Sequence, residues 1–315
     1  MRTGVLAAVA ALLVMSGLAL LGVWLLGFDL SAAWTVLALA VGGSAKLSMA
    51  LPVGRIAAGA DLQVIPLGVS VLGAVVLLAG VLVRRPADRQ ALAVRAVAAT
   101  TTFVVLFAAL TALAPRVDVV RTLAGLLVWV LVVAGLGLLC QVRALRAVFV
   151  VLLTTMGAAM VAGAVAAIWG GARVLGVALL AGPNLVLIAF TRGLGVHWIV
   201  GTPVTLPIRL DSGQFGSLNA NPWPLSVFAV VLVLLCALFA ARDRSGGPFA
   251  GLVVAVLVPL AAAVAGASAR IRLGPFGLGF GLRGELLPAL GIGLVAGLAT
   301  SLLVVGVRTW QGRRV

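Results

Sequence analysis

The sequence predicts an all-α integral membrane protein: about eight transmembrane helices plus a broken or re-entrant segment, with a small extracytoplasmic β cap drawn from three loops, all within one polytopic membrane domain over residues 1–315. Three observations carry that reading. Hydrophobic residues make up 63% of the chain and charged residues 9%, with a mean hydropathy of +1.30; a soluble domain cannot hide that much apolar surface from water. Nine uncharged apolar runs follow one another, each near the ~20 residues that cross a bilayer at about 1.5 Å rise per residue. Finally, one layout occurs three times: a short strand, a loop, a proline, an apolar run and a basic end, with 18, 18 and 20 residues from Pro66, Pro224 and Pro288 to the first arginine of that end.

Taken in order, Val5 to Gly27 is too long for a signal-peptide core and reads as the first span. Phe28 to Val41 is too short to cross; with Asp29 or Ser31 as N-cap it reads as a helix lying in the interface, ended by Gly42-Gly43. Lys46 to Leu51 alternates polar with apolar and is the first strand, and Pro52 to Asp61 is a loop. Spans follow at 62–83, 96–115, 122–142 and 147–172, the last rich in small residues such as Gly157 and Gly163 that let helices approach closely. Val174 to Thr191 is the weakest run, interrupted at Gly182-Pro183-Asn184. A second strand at 204–210, a span opened by Pro222-Trp223-Pro224, a span at 248–267, a third strand at 269–273 and a final span at 286–307 complete the chain. The Gly-rich run 274–284 lacks the ending of a phosphate-binding loop and reads as a turn region.

Net charge is +15, with one lysine against 21 arginines. The arginines fall singly or in pairs at the ends of apolar runs, as membrane anchors do, and not in the patch that a nucleic-acid partner requires. Placing Arg2, Arg84, Arg85, Arg89, Arg95, Arg143, Arg146, Arg242, Arg244, Arg308, Arg313 and Arg314 inside gives that side a net charge of +10 against +5 outside. Both termini are then cytoplasmic, which demands an even number of crossings. Nine runs cannot all cross, and the one interrupted at Pro183 is the one set aside.

The seven acids all fall at helix ends or in loops, where they supply no intramembrane proton relay. His197, the only histidine, stands beside Trp198 as an interfacial belt residue. Cys140 and Cys236 lie inside apolar runs and read as small buried hydrophobes, and no metal-ligand spacing or cofactor motif is present in the sequence. Pro183 and Asn184 form a candidate helix-break site, because discontinuous helices at membrane depth are where transporters build their sites; an Asn capping a local break accounts for the same residues. Lys46, Arg209, Arg270 and Arg272 form a candidate outer basic surface on a small sheet made by the three strands, with Met49 and Ile208 directed inward.

The strand after Gly42-Gly43-Ser44 followed by Val64-Ile65-Pro66-Leu67-Gly68-Val69, and the segments Gly182-Pro183-Asn184 and Gly193-Leu194-Gly195-Val196, resemble the streptophobe family of actinobacterial multi-pass membrane proteins. The resemblance covers about a third of the chain and implies an actinobacterial plasma-membrane protein, without an activity to carry over. The expectation is a non-enzymatic membrane component that binds or supports a membrane protein partner, its other partner being the lipid bilayer. A transporter or channel for a small solute is the alternative.

Overall fold

The computed structural model describes residues 2–50, 57–82, 89–112, 114, 117–139, 143–201, 204–205, 214–217, 223–241, 247–273 and 276–312. Among them are ten helices and a small antiparallel sheet. The helices are α1 (Arg2–Leu26), α2 (Ala32–Ala40), α3 (Leu67–Leu82), α4 (Arg89–Ala112), α5 (Val119–Leu139), α6 (Arg143–Gly170), α7 (Ala172–Gly193), α8 (Trp223–Ala241), α9 (Gly247–Val264) and α10 (Leu286–Gly312). The strands are β1 (Ala45–Ala50), β2 (Ala57–Val64), β3 (Trp198–Gly201), β4 (Val204–Thr205), β5 (Gln214–Ser217), β6 (Ala267–Leu273) and β7 (Phe276–Gly284).

Every apolar run of the sequence is a helix. Seven of the helices are long and apolar enough to cross a membrane, namely α1, α4, α5, α6, α7, α8 and α10, while α3 and α9 are shorter apolar helices. The architecture is that of a multi-pass membrane protein. Large side chains such as Leu6, Leu13, Val128 and Leu298 stand 60–67% exposed, the arrangement expected of helices whose solvent is lipid.

By packing, the chain divides into two compact units. The first comprises residues 1–137, 160–182 and 269–277. Here α1 packs on α2, α3 and α4. Small residues make this possible: a Cβ on Gly73 of α3 would collide with Met15 of α1, one on Gly80 with Ala7, and one on Gly4 with the backbone of Arg95 on α4. The short α2 ends in a turn in which Gly42 has φ +86°, a left-handed conformation that glycine adopts without strain, and the Gly42 and Gly43 amides donate to the carbonyls of Leu39 and Ala38. The sheet of this unit runs β1-β2-β6, with β1 and β2 antiparallel from Ala45 opposite Leu62 to Ala50 opposite Ala57.

The second unit comprises residues 138–159, 183–268 and 278–315. Its centre is the pair α9 and α10, with α8 packed on both. The two run antiparallel with Gly251 against Gly297 and Ala255 against Gly293; a Cβ at Gly297 would stand 2.5 Å from the Gly251 carbonyl oxygen and 2.8 Å from Ala255 Cβ. In this unit β3 lies between β7 and β5, and β4 pairs with β7.

Several expectations are corrected. The segment interrupted at Pro183 is not broken: α7 is one helix of 22 residues with Pro183 inside it. A proline costs one backbone hydrogen bond, and within a membrane protein neighbouring groups take up the carbonyl it frees. The loop expected up to Asp61 contains β2, which also takes the first three residues of the expected second span. Of the Gly-rich run, Phe276–Gly284 is the strand β7 and not a turn, and residues 274 and 275 lie outside the described residues; in the sequence of β7 Phe276, Leu278, Phe280 and Leu282 alternate with smaller or charged residues, the period of a strand. The first and third expected strands do share a sheet, with the unexpected β2 between them. Of the second, Val204 and Thr205 form β4, and the remainder, with Ile208 and Arg209, lies outside the described residues.

Candidate functional site

The sequence points to α7, and the structure makes it the most enclosed of the seven long apolar helices. Pro183 has no N–H, so the carbonyl four residues earlier, that of Leu179, lacks its helical donor. That carbonyl is where the first unit brings α3 closest: Gly68, in the first turn of α3, lies so near the Leu179 carbonyl that any side chain at 68 would overlap it. The glycine Cα–H thus faces an oxygen released from the helix ladder, the geometry of a weak C–H···O contact. Nearby, Gly22 accommodates the Leu180 side chain, and Gly176 approaches Leu25 and Leu26 of α1.

Asn184 is buried, with 4% exposure, and has an interacting partner. Its role as the cap of a helix break falls away with the break. Further along, in the second unit, Thr191 is fully buried; its hydroxyl donates to the Leu187 carbonyl at 2.8 Å and accepts from the Trp198 indole N–H at 3.1 Å. Trp198, expected at the interface, is 2% exposed and is among the largest buried side chains. Trp198 opens β3, a strand of only four residues. His197 beside it is exposed, and its carbonyl accepts from the Glu285 amide at 3.0 Å.

A second polar centre lies in the first unit. Ser70 on α3 donates its hydroxyl proton to the Ala40 carbonyl at the end of α2 and accepts from the Trp129 indole N–H on α5 at 3.0 Å. The Trp129 ring stacks on Phe103 of α4 with centroids 5.1 Å apart, and Phe103 contacts Phe107 at 5.8 Å. Three helices are tied through one serine, and the aromatic stack adds a fourth. Sequence reasoning passed over Ser70 because a serine in an apolar run carries no motif; the signal available was the helix end at Ala40, whose carbonyls need donors.

The outer basic residues are placed only as backbone positions. Lys46 sits in β1 opposite Asp61 of β2 in the ladder. Arg270 and Arg272 occupy alternate positions of β6, on one face of that strand. The acids serve helix starts: the Asp29 carboxylate accepts from the Ser31 amide at 2.8 Å before α2, and the Asp118 carboxylate from the Arg121 amide at 3.2 Å before α5. Cys236 is buried in α8, while Cys140 lies outside the described residues. Among the described residues no three His, Cys, Asp or Glu side chains come together as a metal site. No protein-family model, curated protein or solved structure matches the chain.

Proposed function

We propose that this multi-pass membrane protein is a non-enzymatic component of the plasma membrane that binds or supports another membrane protein. The observation that carries the reading is how the buried polar side chains are used. Ser70, Trp129, Thr191 and Trp198 are each committed to a hydrogen bond between elements or back to a helix carbonyl, and Asn184 is enclosed and partnered. A solute path at membrane depth needs polar groups that face a cavity. These five act as internal fastenings, while among the described residues the Ser44 and Thr122 hydroxyls are buried without a hydrogen-bond partner.

The same reading includes eight crossings with both termini cytoplasmic. In the first unit β2 and β6 belong to one sheet, and seven helices, α3 to α9, separate them in sequence. Strands of one sheet lie on one side of the membrane, so an odd number of helices cannot all cross. The helix set aside as not crossing is α7, unbroken though it is, because its early turns pack at the C-terminal end of α1 and against the first turn of α3. The charge bias of the sequence then puts the termini inside, and the streptophobe resemblance supplies the actinobacterial plasma membrane.

Affinity purification of the full chain from its native membrane tests the function, with a partner retained in stoichiometric amount as the expected result. Solute flux into proteoliposomes of the pure protein, abolished by Asn184→Leu without loss of folding, would replace this reading with the transporter. For the topology, single cysteines at Arg89 and Gln311 should be protected from an external reagent and one at Asp211 labelled.

A further inference from the structure

We infer that the junction between the end of α2 and the start of α5, inside the first unit, binds one monovalent metal cation, a site independent of the partner reading above. Two hydroxyls mark it. Thr122, in the first turn of α5, is fully buried; Ser44, just after the turn that ends α2, is 5% exposed; and neither hydroxyl makes a hydrogen bond. A buried hydroxyl without a partner is destabilising, and a ligand that coordinates it removes the penalty. Both belong to one place in the fold. A Cβ on Gly43 would stand 2.5 Å from Thr122 Oγ1, and the Ser44 carbonyl accepts at 3.3 Å from the amide of Asp118, one turn before Thr122.

The main chain adds further oxygens. At the end of α2 the Ala38 and Leu39 carbonyls accept the Gly43 and Gly42 amides, and the Ala40 carbonyl accepts the Ser70 hydroxyl. The carbonyls of Val41 and Gly42 come next and are turned against Gly125 of α5, where a Cβ would stand 2.5 and 2.9 Å from their oxygens. Gly125 lies three residues after Thr122, on the same face of α5, and its own amide belongs to the helix ladder. It therefore meets these carbonyls with a Cα and no donor. Two hydroxyl and two carbonyl oxygens thus gather where α2 ends.

Charge and size select the ligand. All four are neutral, hard oxygen donors, which suit a hard cation, and with no carboxylate among them a singly charged one. The C-terminal end of a helix carries partial negative charge, and in membrane proteins such ends and freed carbonyls coordinate sodium. The positive end of α5 does not oppose it, because Asp118 caps that helix: its carboxylate accepts from the Arg121 amide at 3.2 Å and its carbonyl from the Thr122 amide at 2.9 Å. Arg121 itself is exposed. The close approach of the Thr122 hydroxyl to Gly43 favours the smaller ion, sodium over potassium. Gly42, exposed and with φ +86°, is the point of entry from the surface.

The test is thermal unfolding of the full chain in a neutral detergent, titrated with sodium chloride at constant ionic strength made up with N-methylglucamine chloride. The melting temperature should rise and saturate with sodium, and potassium should need about tenfold more for the same rise. Thr122→Val keeps the shape and removes the hydroxyl, and should move the sodium midpoint up about tenfold, as should Ser44→Ala, while Thr122→Ser should restore the wild-type response. Thr111→Val is the control: its hydroxyl is as buried but donates to the Ala108 carbonyl at 2.9 Å, so the midpoint should stay where it is. A wild type that melts alike in sodium and N-methylglucamine would overturn the site and leave the hydroxyls to a bound water only. An unchanged midpoint in both Thr122→Val and Ser44→Ala would place any sodium elsewhere. If those variants do not fold, radioactive sodium retained by the wild type decides: about one ion per chain is expected, and none would overturn the site.

Discussion

In the first unit a buried serine collects a donor from one helix and donates to the end of another, with an aromatic stack beside it; in the second, α9 and α10 meet small residue against small residue, Gly251 on Gly297 and Ala255 on Gly293. Both are answers to the same difficulty. Lipid tails are as apolar as leucine, so burying leucine between helices gains little, and helices in a bilayer associate through close backbone packing and through polar groups that have nowhere else to go. The glycine seam relies on the first, and its strength lies in the absence of side chains, which makes it intolerant of any atom added. The serine centre relies on the second, and its strength lies in a few bonds that can be removed one at a time. The comparison predicts which substitutions are ruinous and which are graded.

The largest effect belongs to Gly297→Leu. Its Cβ alone would stand 2.5 Å from the Gly251 carbonyl oxygen, and because the obstacle is backbone the two helices must part. Overpacking of this kind costs about 3 kcal/mol or more. Thermal unfolding in detergent should show a fall of many degrees or outright loss of a monodisperse species, while Gly306→Leu on the far face of the same helix should melt as the wild type does. Equal behaviour of the two variants would mean that α9 and α10 are not held by close approach.

Next comes Ser70→Ala. It leaves the buried Ala40 carbonyl without its donor and the half-buried Trp129 indole without its acceptor, so two groups lose partners at once, a loss of about 2 kcal/mol. Trp129→Phe removes one of those bonds while keeping a ring for Phe103 to stack on, and should cost about 1 kcal/mol, in the range of interhelical hydrogen bonds in bilayers. Because the two residues share a bond, the double variant should cost clearly less than the two single losses together. Strict additivity in that cycle would show that the indole and the hydroxyl are not coupled.

Much of this was legible beforehand, and the gaps have physical causes. All nine apolar runs could be found because a membrane imposes a length, and the basic ends could be found because charge must stop at the interface. The seam between α9 and α10 was also written in the sequence, as Gly251 and Ala255 on one helix and Gly293 and Gly297 on the other, each pair four apart. What could not be read was partnership. Pro183 looks like a break until Gly68, more than a hundred residues earlier, is found beside the carbonyl that the proline frees. Trp198 looks like a belt residue until Thr191 is seen to accept its indole proton. β7 was hidden for another reason: glycine at alternate positions disguised a strand as a turn, although the large apolar residues between those glycines kept the period of two.

The smallest effect should have the opposite sign. Glycine is tolerated inside membrane helices where it admits a neighbour, and elsewhere it lowers helix stability by roughly 1 kcal/mol relative to alanine. On α5 two glycines stand two residues apart and differ in this respect. A Cβ on Gly137 would come 2.9 Å from the Leu78 side chain, whose free end must shift to admit it, whereas a Cβ on Gly135 would meet nothing within 4 Å. Gly135→Ala therefore gains helix propensity with no collision and should raise stability by up to about 1 kcal/mol. For Gly137→Ala the same gain is set against repacking of Leu78, so the net change should lie near zero and below that of Gly135→Ala. Unfolding both variants side by side in one detergent reads the difference directly. A destabilised Gly135→Ala would show that α5 receives a close neighbour at that position, and a part of the glycine packing assigned to other helices would then have to be extended to this one.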